Sequence, residues 1–119
     1  MQMLVVVNAS PWGSSSAAAA FRFTHAAVEA GQQVVAVFFH GDGVYHALPG
    51  GMADDGLPDV HHQWRGLAQA HGFELLVCPA ASARRGAPAV QQALAPPFRL
   101  AGLVELFSRV GSSDRVVGF

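Results

Sequence analysis

The sequence predicts an α/β protein, a three-layer α/β/α sandwich with a mainly parallel sheet of about five strands, flavodoxin-like in general architecture. The first observation is a set of short, mainly apolar runs at positions 4–7, 33–39 and 73–77, of which the first is β-branched. Strands buried on both faces show such continuous runs. The second is that a helix-forming stretch follows each run, which implies right-handed βαβ units and a sheet covered on both faces.

Each remaining element has its own local signal. A helix is predicted over 17–30 with a serine cap at 14–16, and another over 60–70, which Gly72 ends. Pro79 and Gly86 bracket a short helix over 79–85. The rest of the chain is predicted as helical turns at 44–48 and 90–94, a loop at 49–58, extended residues at 98–100, a helix over 103–110 and a strand over 115–119.

Length and composition limit the organisation of the chain. The 119 residues are enough for one domain, 1–119, with one core. Apolar residues make up 51% of the chain and charged residues only 13%. More of the surface than usual is therefore expected to be apolar, which indicates a subunit or partner interface.

Charge and patterning exclude several classes of protein. The formal net charge is -1 and all seven basic side chains are arginine, scattered except for Arg84 and Arg85. Direct nucleic-acid binding needs a basic stripe, and membrane-surface binding needs a basic amphipathic helix. The opening apolar run spans only residues 3–7, too short for a signal peptide or a membrane span. The single cysteine allows no intrachain disulfide, in keeping with a cytoplasmic protein.

Cys78 is the first candidate for a working residue. It comes at the carboxyl end of a predicted strand and directly before a predicted helix. In parallel sheets, ligands and chemistry lie beyond the carboxyl ends of the strands. Thiols react as thiolates, which helix N-termini stabilise through free N–H groups. Position alone also fits a small buried hydrophobic residue, and both interpretations stay open.

Other side chains are predicted near the same edge. His40 leaves the second strand and is a candidate proton carrier, although a loop histidine that caps a strand is the favoured interpretation. Tyr45 and Asp42 follow it. Arg84 and Arg85 lie near the end of the short helix, where they either neutralise its last carbonyls or fold back towards an anionic group.

Metal and nucleotide sites have weaker signals. The histidines at 40, 46, 61 and 62 lack the spacing of three or four that metal ligands on a helix prefer, so no metal is expected. The serines at 14–16 start a helix and suit an anion. Helix capping alone explains them, since the glycine-rich nucleotide motifs are absent, and no cofactor is expected.

Six segments in order resemble the DsrE family of intracellular sulfur-relay proteins, most of all its TusD-type sulfurtransferase subunits. They are VVVNASPWG, AFRFTHA, FFHGDGVYHA, CPAASARRG, FRLAGLVEL and DRVVGF. The resemblance covers essentially the whole chain. Pro79, directly after the cysteine, and the proline-rich connector between Gly86 and Phe98 depart from the family pattern.

The resemblance implies a fold and a function. It implies a DsrEFH-like sandwich in which Cys78 carries a persulfide, with His40, Tyr45, Arg84 and Arg85 as possible assisting residues. It implies sister DsrE-family subunits, as a heterohexamer or a homo-oligomer, and small sulfur-carrier proteins as donor and acceptor. The sulfur would serve tRNA 2-thiouridine synthesis or come from dissimilatory sulfur oxidation.

Three alternatives to a persulfide carrier differ in the role that they give to Cys78. In a non-catalytic oligomeric subunit, Cys78 is buried without an approach path and the apolar surface is what matters. In a small anion- or nucleotide-binding module, the helix start at the serines binds the ligand. In a cysteine-dependent hydrolase or transferase, His40 is the base for a Cys78 nucleophile.

Overall fold

The computed structural model describes residues 1–48 and 59–119. Five strands and four helices alternate along these residues, with single-turn or short 3-10 segments at Gly41–Ala47 and Gln91–Ala93. In chain order the elements are β1 (Gln2–Val7), α1 (Ser15–Glu29), β2 (Gln33–Phe39), α2 (Val60–His71), β3 (Glu74–Val77), α3 (Pro79–Arg84), β4 (Phe98–Leu100), α4 (Leu103–Gly111) and β5 (Arg115–Gly118).

The five strands form one sheet in the order β4-β3-β2-β1-β5, and every neighbouring pair is parallel. This confirms the predicted α/β class and its parallel sheet. Strands β1, β2 and β3 are neighbours, so the segments that leave their carboxyl ends lie side by side. Strand order alone decides whether the segments after Val7, Phe39 and Val77 are neighbours, and the observed order shows that they are.

One face of the sheet packs against α1 and α2 through an aromatic cluster. The Trp64 ring of α2 meets Phe39 of β2 edge-on at a centroid distance of 5.5 Å, and Phe21 of α1 edge-on at 5.0 Å. Phe98 of β4 joins the cluster 5.7 Å from Phe39. Rings in this tilted and edge-on geometry add to the free energy gained from their burial. Fully buried Trp64 therefore anchors α2, the helix that precedes the cysteine strand.

The opposite face carries α4, held by ion pairs. The strand register puts Glu74 of β3 and Arg99 of β4 on this face, since their neighbours alternate in and out of the sheet. The Arg99 guanidinium lies 2.7 Å from Glu74 and 2.9 Å from Glu105 of α4, and Arg109 of α4 lies 2.7 Å from Glu74. A crossover from β4 to β5, on the far edge, takes α4 across this face.

The boundaries differ from the predicted ones by one or two residues at most helix and strand ends. The largest difference is the turn after β2, predicted at 44–48, which is a 3-10 segment that begins at Gly41. Gly41 has a φ of 55°, a backbone conformation that glycine adopts without strain and that lets the chain turn directly after the strand. The loop predicted over 49–58 lies outside the described residues.

Within the two described segments, no helix is both long and apolar enough to cross a bilayer.

Gly43 is predicted to be a position where any side chain destabilises the fold. A Cβ there would overlap the carbonyl oxygen of Val7, because the 3-10 segment lies directly on the end of β1. We expect Gly43→Ala to lower the free energy of unfolding by about 2 kcal/mol or more, as overpacking against rigid backbone does. Urea unfolding measures this.

The matched control is Gly66→Ala in the middle of α2, where an added Cβ meets nothing within 4 Å. This variant is expected to gain about 0.5–1 kcal/mol from the better helix propensity of alanine. A Gly43→Ala protein as stable as the wild type would show that the 3-10 segment does not press on β1.

Candidate functional site

Cys78 links the end of β3 to the start of α3. Its N–H donates to the Phe39 carbonyl at 3.1 Å, which continues the β2–β3 ladder by one residue. Its backbone is extended, with φ -70° and ψ 116°, as at the N-cap position of a helix, and Pro79 follows as the first helical residue. Its carbonyl accepts the Ser82 N–H at 3.1 Å. Cys78 thus lies at the carboxyl edge of the sheet, where the sequence predicts it.

The residue is buried in this conformation. Cys78 is 4% exposed, and its thiol makes no capping hydrogen bond to α3. In this conformation little of Cys78 is open to contact with another protein. Access to its thiol therefore depends on the segments that cover this edge.

His40 directly follows β2, next to the end of β3 that carries Cys78, but its side chain has a different partner. Its Nδ1 lies 3.3 Å from the Asn8 side-chain oxygen, at the end of β1. Its ring stacks on Phe38, 6.2 Å away between centroids. Among the described residues the recorded hydrogen bond of the His40 ring is this one to Asn8, so the structure does not pair His40 with Cys78.

The 3-10 segment Gly41–Ala47 and α3 are joined by hydrogen bonds around Arg85. The Tyr45 hydroxyl donates to the Arg85 carbonyl at 3.2 Å. The Arg85 Nε donates to the Asp42 carboxylate at 2.8 Å, and one terminal nitrogen donates to the Ala81 carbonyl at 3.2 Å. Both proposed roles of this arginine are present, since it caps the carbonyls of α3 and also folds back to an acidic partner.

Arg84 behaves differently from its neighbour. It is exposed, and the hydrogen bonds and ion pairs recorded over residues 1–48 and 59–119 include none from its guanidinium. Of the predicted site residues, the structure thus brings Tyr45 and Arg85 into contact. It places His40 on the adjacent strand end and leaves Arg84 facing solvent.

The segment after β1 completes this edge. Trp12 stacks obliquely on Tyr45 with ring centroids 5.4 Å apart. Ser14 caps α1 by accepting the Ala17 N–H at 3.3 Å. Through this bond Ser14 caps the helix, as predicted for one of the serines at 14–16. The anion site considered for these serines stays a prediction. Trp12 was not singled out from the sequence, because an aromatic residue in a Pro-Gly-Ser loop has no spacing signal.

The buried histidines have structural hydrogen bonds. His46 Nε2 lies 3.0 Å from the Ala9 carbonyl, and His61 Nδ1 lies 2.8 Å from the His46 carbonyl. These contacts connect the segment after β1, the 3-10 segment and α2. Burial lowers the pKa of His46 to about 4, so its imidazole is neutral near pH 7. No group of three or more potential metal ligands occurs within the described part of the chain.

Helix α4 presents an apolar face to solvent. Val104 is 85% exposed, Phe107 67% and Leu103 51%. On the side towards the sheet, Glu105 and Arg109 hold α4 by the ion pairs to Arg99 and Glu74. Leu106 also packs against the core, but α4 exposes more of its apolar residues than a usual surface helix, which buries its apolar side. Exposed apolar residues grouped in this way mark an interaction surface.

Arg85→Ala is expected to make Cys78 easier to reach. The substitution removes the bond from Arg85 to Asp42, which joins α3 to the 3-10 segment, and the bond to the Ala81 carbonyl at the end of α3. A partly exposed ion pair contributes up to about 1 kcal/mol. The rate of thiol modification by an aromatic disulfide reagent should therefore rise about two- to five-fold, because local opening becomes more frequent.

Arg84→Ala is the matched control, since it removes the neighbouring charge without removing a recorded contact. Its modification rate should equal that of the wild type. Equal rates for the two variants would mean that Arg85 does not restrict access to Cys78.

Comparison with known proteins agrees with this architecture. The family model described as the DsrE/DsrF-like family matches residues 1–119. The "Sulfurtransferase TusD homolog" of Vibrio parahaemolyticus is 37% identical, covering 97% of this chain and 95% of the relative. The "Sulfurtransferase TusD" of Serratia proteamaculans is 36% identical, covering 97% and 96%. The crystal structure of the ychN protein from E. coli superposes over the full length of both chains with a TM-score of 0.84 and 26% identity. The chain belongs to the DsrE/DsrF-like family.

Proposed function

We propose that this chain is a sulfurtransferase subunit of a sulfur relay, one domain over residues 1–119, that accepts and passes on a persulfide sulfur at Cys78. The observation that carries the proposal is the position of Cys78 at the carboxyl edge of a parallel sheet, within a chain whose relatives are named sulfurtransferases. Ligands and chemistry in parallel sheets concentrate at that edge.

The proposed reaction is thiol–persulfide exchange. The Cys78 thiolate attacks the outer sulfur of a donor persulfide, a new S–S bond forms, and the donor's inner sulfur leaves as a thiolate. An acceptor cysteine then attacks the outer sulfur on Cys78 in the same way. The rate depends on thiolate fraction and access, as in disulfide exchange, and no cofactor takes part.

Assistance from neighbouring residues is part of the proposal. His40, on the adjacent strand end, is suited to exchange a proton with the incoming or outgoing thiol. Arg85 and Tyr45 hold α3 against the 3-10 segment, so they would control when Cys78 is reached. Arg84, exposed and next to them, is suited to contact an acidic partner protein.

The burial of Cys78 supports a second candidate function. At 4% exposure, the thiol has the environment expected of a non-catalytic subunit, whose task is assembly. A carrier with this structure must open at the edge where α3 meets the 3-10 segment before each transfer. The two candidates therefore differ in whether Cys78 gains a sulfur when a donor is present.

Partners are proposed from the surface of α4. Its exposed apolar residues suit a sister DsrE-family subunit, in a heterohexamer or a homo-oligomer, because permanent interfaces are more apolar than ordinary surface. Small sulfur-carrier proteins would serve as donor and acceptor in the cytoplasm. The relay would serve tRNA 2-thiouridine synthesis or dissimilatory sulfur oxidation.

Cys78 is predicted to gain one sulfur atom on incubation with a persulfide donor. Intact mass spectrometry of the wild type should show the added sulfur, removed again by reductant, and the Cys78→Ala protein should show none. Because the chain has a single cysteine, the mass change assigns the site directly. Absence of the added sulfur, in the isolated chain and with sister subunits present, would favour the assembly function.

Phe107→Asp is predicted to prevent subunit assembly. A charge at the centre of an apolar interface leaves a desolvated carboxylate without a partner, which typically costs about 2 kcal/mol or more. The affinity between the subunits should fall at least roughly thirty-fold. Co-expression with candidate sister subunits, followed by light scattering, would measure this loss.

Ala18→Asp is the matched control. It adds the same charge at an exposed small apolar position of α1, in the opposite layer, near a helix start that tolerates acidic residues. Assembly of this variant should be unchanged. An intact complex with Phe107→Asp would place the interface elsewhere.

A further inference from the structure

Ser82 of α3 has a buried hydroxyl. The residue is fully buried, and its Oγ has no hydrogen-bond partner among the described residues. A buried hydroxyl without a partner costs free energy of folding, because it has lost its water and gained nothing in return. Such a group in a native structure calls for a specific explanation.

The usual explanation for a buried helical hydroxyl is absent at Ser82. Serine and threonine inside helices normally donate back to the carbonyl four residues earlier. Thr24 of α1, which is also fully buried, does this with the Ala20 carbonyl at 2.8 Å. The corresponding carbonyl for Ser82 is that of Cys78, which accepts the Ser82 N–H, but the Ser82 hydroxyl makes no bond to it.

The position of Ser82 relates it to Cys78. The two residues are four apart, across the first turn of α3, so they lie on the same side of that turn. Helical Cβ atoms tilt towards the N-terminus, which directs the Ser82 side chain back towards the turn that starts at Cys78. The Ser82 N–H donates to the Cys78 carbonyl at 3.1 Å, which holds the two residues one turn apart.

An added sulfur would extend Cys78 by the length of one S–S bond, about 2.05 Å. With the thiol alone, no hydrogen bond to the Ser82 hydroxyl forms, although both groups are buried in the same turn. Among the described residues the Ser82 hydroxyl has no partner in the unloaded protein. The outer sulfur of a persulfide is an acceptor atom that the unloaded protein does not have at this turn.

We propose that the Ser82 hydroxyl donates a hydrogen bond to the outer sulfur of the Cys78 persulfide and so stabilises the loaded state. The inference rests on the proposed function. Loading from a small-molecule donor balances as R–S–SH plus Cys78 thiolate giving R–S⁻ and Cys78–S–SH. Loss of the proton from the outer sulfur to water then leaves an anionic sulfur that accepts the Ser82 O–H. Hydrogen bonds to ionised acceptors are the stronger class.

This role predicts opposite effects of Ser82→Ala on the two states. In the unloaded protein, removal of a hydroxyl without a partner leaves the free energy of urea unfolding unchanged or raises it. In the loaded protein it removes the proposed bond. A serine that served only the packing of α3 would instead lower the unfolding free energy and leave the persulfide unaffected.

The test is the exchange equilibrium between glutathione persulfide and the full chain, with the loaded fraction measured by intact mass. The equilibrium constant for loading should fall about ten-fold in Ser82→Ala, the loss expected for a hydrogen bond to a charged group. Thr24→Val, which removes a buried hydroxyl in α1 at nearly constant shape, should leave the constant unchanged.

The outcomes separate this inference from the function on which it rests. Normal loading of Ser82→Ala would overturn the role of Ser82 and leave Cys78 as the carrier. A Ser82→Ala protein that is less stable than the wild type before loading, or that does not fold, would also overturn it, since the hydroxyl would then be structural. No loading of the wild type would overturn both proposals together.

Discussion

The hydrogen bond from the Cys78 N–H to the Phe39 carbonyl is the constraint on which the site depends. It is the last bond of the β2–β3 ladder, and it fixes Cys78 beside the end of β2. The parallel register of β2 and β3 then sets the positions of the segments that follow them, because both strands leave the sheet at the same level. The 3-10 segment and α3 start from these two points, which brings Tyr45 and Asp42 within reach of Arg85.

The aromatic cluster supports that register on one face of the sheet, and ion pairs between side chains support it on the opposite face. Phe39 packs on Trp64 and Phe98 and cannot shift without breaking the core. On the opposite face, burial would raise the pKa of Glu74, but hydrogen bonds from Arg99 and Arg109 outweigh it and hold that pKa below the ordinary value. The carboxylate is thus ionised near neutral pH and ties β3 to α4.

Because the ion pairs and Leu106 occupy the side of α4 that faces the sheet, the other apolar residues of this helix face outward. A helix on an isolated domain would normally place Phe107 and Val104 inward and Glu105 and Arg109 outward. In a chain with only 13% charged residues, four of them, Glu74, Arg99, Glu105 and Arg109, form one partly exposed network between the sheet and α4. Four of the eight large apolar side chains exposed in the described residues accordingly lie on α4.

The sequence predicts the elements well because their signals are local. Buried β-branched runs, the serine cap, Pro79 and Gly86 each act within a few residues, and the structure places strands and helices where these signals lie. Strand order was not predictable, because it depends on how segments far apart in the chain pair. The contacts of Arg85 and Tyr45 follow from that order and could not be derived earlier.

Ser82 and α4 show a different limit of sequence reasoning. The spacing of four residues between Cys78 and Ser82 is visible in the sequence, but an unused hydroxyl is recognised only when its surroundings are known. Similarly, the stripe of α4 reads as an ordinary amphipathic helix, and only the ion pairs show which side faces the sheet. Periodicity identifies two faces of a helix, and tertiary contacts decide which one is buried.

The burial of Cys78 and the proposed carrier role are compatible if closure is part of the chemistry. A persulfide exposed to small thiols loses its outer sulfur by the same exchange that loads it, so a permanently open site would not retain its cargo. The ion pair between Arg85 and Asp42, which joins α3 to the 3-10 segment, is partly exposed, so breaking it costs only up to about 1 kcal/mol. A partner that competes for Arg85 or Asp42 would open the edge on docking, which would make sulfur transfer depend on the correct partner.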